Sequence, residues 1–133
     1  MSTRKASSRS GVAATEFAVC LPVLLLLLLG SIECCSMIFL QQSLSVAAYE
    51  AGHTALQPDA TNADATATAN AVFADRRVRS GTLQINPGNL GAIPEGQFFE
   101  VRASAPTDAN RVLPLSFFGG QQLTATAVFM KEI

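Results

Sequence analysis

Glu16 is a carboxylate at the front edge of a segment with no further charge from Phe17 to Ile32, sixteen residues. An acid at the centre of a membrane helix is unfavourable by ~3 kcal/mol on translocon scales, and by less toward the interface. A carboxylate in that position calls for a partner outside the segment. Gly11 stands five residues earlier and is followed by Val12. If the chain is cut after Gly11, Val12 becomes a free α-amine and Glu16 the fifth residue of the mature chain. An acid and an amine on parallel copies can form an intermolecular ion pair. That chemistry serves export and assembly, not catalysis.

Other chemistries lack their parts. No histidine stands near a usable serine or cysteine, as nucleophilic catalysis needs. The only histidine, His53, lies 18 residues past Cys35 and reads as a partly buried packing residue. The glycines at 81, 88, 91 and 96 are not followed by Gly-Lys-Ser/Thr, so no phosphate loop is present. Glu95 and Glu100 straddle a loop and a strand and read as solvated. Phe98, Phe99, Phe117 and Phe118 read as core or edge packing. Cys34 and Cys35 are adjacent and cannot bridge without strain. Cys20 would lie about 21 Å from Cys34 along a helix. The cysteines therefore read as small apolar fillers. The expectation is a non-enzyme with no cofactor, no metal site and no small-molecule substrate.

Charge separates the chain into two parts. Arg4, Lys5 and Arg9 precede Gly11 with no acid among them, leaving six cations and ten acids beyond it. No basic stripe offers itself to nucleic acid. Arg76, Arg77 and Arg79 form the one later cluster, where a helix should end and cations complement its dipole.

Those residues need a rod to carry them. Sixteen apolar residues span about 24 Å as helix, just under the usual membrane range. Including Val12 to Thr15, with Glu16 and Glu33 reaching toward the two interfaces, makes a span workable over about 14–36. Pro22 removes one backbone bond and predicts a kink, which membrane helices tolerate. Beyond Glu33, the residues Ile32, Cys35, Phe39, Gln42, Val46, Tyr49, His53 and Leu56 recur at spacings of three and four, one helix face. Leu40, Leu44, Ala48 and Ala51 widen it. The rod should run from Val12 to about Leu56 and stop at Pro58.

A small head should follow. Residues 59–80 predict a second helix folding back on the first, capped by Asp59, Thr61 or Asn62 and stopped at Gly81. Ala65, Ala69, Val72, Phe73 and Arg76 share its inner side. Thr82 to Asn86, Gln97 to Ala105 and Leu123 to Lys131 predict three antiparallel strands. Phe99, Val101, Ala103 and Ala105 share one face, as do Leu123, Ala125, Ala127 and Phe129. Such a sheet needs a partner surface, and the long helix is the available one. The fold class is α+β: a long N-terminal membrane-spanning helix continuing into an amphipathic helix, packed with a second helix and a small antiparallel three-stranded sheet. The divisions are a leader at 1–11, the helix at 12–57 and the head at 58–133.

Three conventional readings of the apolar segment compete. A secretory signal lacks a small-x-small site after Leu29, and Glu33 before Cys34 spoils a lipoprotein site. An uncleaved single-span anchor displaying a small periplasmic partner-binding domain is allowed, but leaves Glu16 unexplained. A fourth reading is a cut on the basic side, after Gly11. The basic stretch through Gly11, followed by Glu16, resembles the leader of type IV pilin-like proteins, which a membrane-embedded prepilin peptidase removes.

The run Gly11-Val-Ala-Ala-Thr-Glu-Phe-Ala-Val, then Leu21-Pro22 and its leucines, then Leu29-Gly30-Ser31-Ile32-Glu33, resembles TadE-like proteins. These are minor pilins or pseudopilins of the tight adherence (Flp-type) pilus machinery. Gln41 to Gly52 and the ending Phe117-Phe118-Gly119-Gly120 with Leu123 to Ala127 are similar too. Cys34-Cys35 departs from the pair usual after the second glutamate. The resemblance implies a subunit that is cut between Gly11 and Val12, takes register from Glu16, and assembles through its helix. The implied partners are the prepilin peptidase, other pilin-like subunits and the pilus assembly platform. The basic leader should stay cytoplasmic by the positive-inside tendency. That makes the chain a single-pass protein of the bacterial inner membrane with a periplasmic head, entering a surface pilus or priming one.

Overall fold

One helix carries the molecule. In the computed structural model, which describes residues 9–115 and 117–132, α1 runs unbroken over Arg9–Ala55, 47 residues. That is about 70 Å of rod. Its continuity follows from composition: leucines and alanines favour helix, and no proline intervenes after Pro22 until Pro58. Pro22 lies inside the helix and lacks the N–H that would otherwise bond the Ala18 carbonyl. The first eight residues of the expected leader, Arg4 and Lys5 among them, lie outside the described residues.

The chain turns at Pro58 and returns as α2 (Asn62–Asp75). Of the three candidate caps, Thr61 takes the role. Its hydroxyl accepts from the Asp64 N–H, and the Asp64 carboxylate accepts from the Thr61 N–H at 2.9 Å, a capping box. The helix ends six residues before Gly81. The Arg77 N–H bonds the Ala74 carbonyl at 3.1 Å and the Val78 N–H bonds Phe73 at 2.8 Å, a Schellman closure. Arg77 sits in the left-handed region there, with φ 56°. Gly81 has another use: a Cβ on it would come within 2.7 Å of the Phe73 ring.

The sheet is antiparallel in the order β1 (Thr82–Asn86), β2 (Phe98–Pro106), β3 (Gln122–Met130). Leu83 pairs with Ala103, and Val101 with Ala127. The loop between β1 and β2 holds a short 3₁₀ turn at Leu90–Ala92 that buries Leu90 and Ile93. A four-residue helix, α3 (Thr107–Asn110), opens the β2–β3 connection. Buried Thr107 anchors it, with its N–H donating to the Gln121 carbonyl at 2.9 Å and its hydroxyl 2.6 Å from the Phe118 carbonyl.

β3 lies along α1 and points the same way. Gln41 Nε2 donates to the Thr124 carbonyl at 3.0 Å, and the Phe129 ring covers Gly52. Eleven helical residues and five strand residues both advance about 17 Å, so the two elements keep pace. The core fills the space between: Leu40, Leu44, Ala47, Ala48, Ala51 and Ala55 of α1, Ala65, Ala69 and Phe73 of α2, and Phe99, Val101, Ala103, Ala105 and Ala125 of the sheet. Both strand faces and the inner side of α2 match expectation.

The buried face of α1 does not. Cys35, Phe39, Gln42, Tyr49 and His53 are exposed, and the supposed flank of Leu40, Leu44, Ala48 and Ala51 is the centre. The reason is steric. Ala47, Ala48, Ala51, Gly52 and Ala55 let α2 and β3 approach closely, which a row of large side chains would prevent. Thr54 and Thr68 even share a hydroxyl–hydroxyl bond of 2.9 Å between the helices. His53 is therefore a surface residue, its Nε2 3.1 Å from the Tyr49 hydroxyl.

Candidate functional site

Gly11, Val12 and Glu16 occupy the first described turns of α1. Val12 and Glu16 are four residues apart and share one side of the helix. Glu16 is exposed, and no cation among the described residues pairs with it. The Thr15 hydroxyl bonds back to the Gly11 carbonyl at 2.7 Å. A Cβ at Gly11 would meet nothing within 4 Å. Glycine there lowers helix propensity by ~1 kcal/mol relative to alanine, and no neighbour among the described residues asks for it.

Pro22 follows Glu16 by six residues on the same bare rod. Every residue from Gly11 to Leu28 is exposed, Phe17 at 60% and Val19 at 77%. The helix is long and apolar enough to cross a membrane, and the head does not bury that apolar stretch. The Gly11, Val12 and Glu16 group therefore stands apart from the head.

Burial begins at Glu33. Its side chain is 1% exposed, and one oxygen, Oε2, has no hydrogen-bond partner among the described residues. The sequence reading placed this acid at the membrane interface. The sequence marks Glu33 as the acid that ends the apolar run, but not that the head closes over it.

Residues 11–53 match the family model of TadE-like proteins. The TadE-like segment begins at Gly11, takes in the whole apolar span and ends two residues short of the end of α1. The match covers 43 of the 133 residues, about a third of the chain, and the long apolar helix within it fits a single-pass membrane protein. No curated protein and no solved structure matches the chain. The head, residues 58–133, lies beyond the TadE-like segment.

All three cysteines are free and exposed. Cys20 lies on the bare rod, and Cys34 and Cys35 flank the point where the head begins.

Proposed function

We propose that this TadE-like chain is a pilin-like subunit of a tight adherence pilus system, cut between Gly11 and Val12 by a prepilin peptidase. The observation that carries the reading is Glu16: an exposed carboxylate with no cation partner among the described residues, four residues from Val12 and the one charge between Gly11 and Ile32. The absence of any steric need for glycine at Gly11 supports a demand from outside the fold.

In a bundle of parallel helices the Glu16 carboxylate pairs with the Val12 α-amine of a neighbouring subunit. A desolvated pair adds little net stability, because desolvation offsets the Coulomb attraction. Removing one member leaves a buried charge, and so does sliding one helix along the other. The pair therefore sets register. The basic leader holds the N-terminus in the cytoplasm, the helix spans the inner membrane and the head faces the periplasm. The peptidase, other pilin-like subunits and the assembly platform are the partners.

The intact mass of the native, membrane-extracted protein tests the cut. A mass beginning at Val12 supports it. A mass beginning at Met1 leaves an uncleaved anchor that displays a small domain. Gly11→Leu should retain the leader. Glu16→Ala should still be cleaved and inserted but fail to enter the assembly, and normal pilus output from that variant overturns the register role.

A further inference from the structure

The head is electrically polarised along α1, and four of its six lysines and arginines gather where the helix leaves the apolar span. From Val12 to Ile32 the rod advances about 31 Å, close to the ~30 Å of a bilayer's hydrocarbon core. Glu33, the first buried residue, therefore stands at the level of the lipid headgroups, and so does the base of the head.

α2 runs back down α1 and delivers its C-terminal end to that level. Arg76, Arg77 and Val112 line a cleft whose opposite wall is Ile32, Cys35 and Phe39 of α1. Arg79 joins them because its N–H donates to Asn110 Oδ1 at 2.7 Å and its carbonyl accepts from Asn110 Nδ2 at 2.9 Å. Arg111 follows directly, 3.8 Å from Asp108. Asp75, Asp108 and the buried Glu33 are the acids at this end. At the far end, beside the last turns of α1, stand Glu50, Asp59, Asp64, Glu95 and Glu132, with Lys131 and His53 beside them among the described residues.

One feature sets this rim apart from an ordinary solvated surface. Val112 is 69% exposed in the middle of it and has no packing role in the head core.

We infer that this rim docks on the leaflet from which α1 emerges and binds the phosphates of anionic phospholipids. Arg76, Arg77 and Arg79 supply charge-assisted hydrogen bonds to lipid phosphate, and Val112 enters the top of the acyl region. The apolar wall of Ile32, Cys35 and Phe39 takes the glycerol end of the same lipid. Docking fixes the tilt of the head on its rod before the subunit meets a neighbour. The inference rests on α1 spanning the membrane, but not on cleavage after Gly11.

The chain has no tryptophan, so Val112→Trp and Phe98→Trp are clean single reporters. Phe98 pairs with Met130 at the opposite end of the head and is 69% exposed. The full chain carrying either substitution is reconstituted into vesicles of phosphatidylcholine with and without phosphatidylglycerol. Flotation with the vesicles establishes the span, and a chain that fails to float overturns both the span and the docking. In phosphatidylglycerol vesicles the Val112→Trp reporter should be quenched by lipids brominated near the headgroup and protected severalfold from acrylamide relative to Phe98→Trp. High salt should remove that protection, as should Arg76→Gln, Arg77→Gln and Arg79→Gln together. Equal quenching of the two reporters overturns the docking. Protection that is the same without phosphatidylglycerol, and indifferent to salt, overturns the recognition of anionic lipid.

Discussion

Gly52 lies directly under the aromatic ring of Phe129, so close that a Cβ on the glycine would occupy the ring's own space. This is where helix and sheet meet. The ring cannot simply swing away, because it is stacked on Phe99 at a centroid separation of 5.8 Å and flanked by Tyr49 at 6.0 Å. Gly52→Ala should therefore act as overpacking and destabilise the head by about 1–3 kcal/mol. Chemical unfolding of the detergent-solubilised chain, followed by circular dichroism, measures it. Adding Phe129→Val should lose less than the sum of the two single changes, since the clash and the ring are one interaction.

The capping box gives the head a defined acid sensitivity. The Thr61 hydroxyl, at 2.7 Å, and then the Thr61 backbone N–H hold the Asp64 carboxyl below its ordinary value of 3.8. A lowered folded pKa means stability that is present above 3.8 and is lost as pH falls toward the folded value. Asp64→Asn should flatten the pH dependence of the unfolding midpoint in that acid window and leave it unchanged near neutrality. Thr61→Ala should cost ~1 kcal/mol at neutral pH through loss of the N-cap. A pH profile of thermal unfolding for the three proteins checks both.

The sequence reading succeeded and failed for physical reasons visible in these same residues. A strand offers only two faces, so Phe99, Val101, Ala103 and Ala105 had to be buried together or exposed together. A helix that is apolar nearly all round offers several stripes with the same spacing. The stripe through Phe39, Tyr49 and His53 and the stripe through Leu40, Leu44 and Ala51 fit the period equally. Side-chain size decided between them, and size matters only once a partner element is in place. Gly11, Glu16 and Pro22 stand out in the sequence because their spacing is local, and the fold of the head neither uses nor covers them. Glu33 was half legible: its place at the end of the apolar run was plain, and its burial depends on the head. The arginines read from sequence as helix-dipole partners, and only the return of α2 along α1 brings Arg76 and Arg77 opposite Ile32, Cys35 and Phe39.

Arg77 should trade stability for its position. It sits at φ 56° in the residue that closes α2, where an L side chain costs roughly 1 kcal/mol relative to glycine. Arg77→Gly should raise the stability of the head by about 0.5–1 kcal/mol if no other contact is lost. Arg76→Gly, one residue earlier at φ −93°, has no such relief to offer and should not stabilise. The pair of variants separates backbone strain from loss of charge, and denaturant midpoints read the difference.

Glu33 is the strongest candidate for a residue kept at the expense of stability. Its carboxylate is 1% exposed, and Oε2 has no hydrogen-bond partner among the described residues. An unsatisfied buried polar group costs about 1–3 kcal/mol, more when charged. An apolar side chain of similar volume and reach removes that cost without opening a cavity. Glu33→Met should therefore stabilise the head against α1 by about 1–3 kcal/mol. Glu33→Ala exchanges the polar cost for a cavity and should gain less. Hydrogen exchange at the Val101 and Ala103 amides, in the strand buried against α1, reads that stability in detergent. Slower exchange in Glu33→Met than in the parent is the expected result. Faster exchange would mean that the carboxylate is satisfied in the folded protein and holds the base of the head in place.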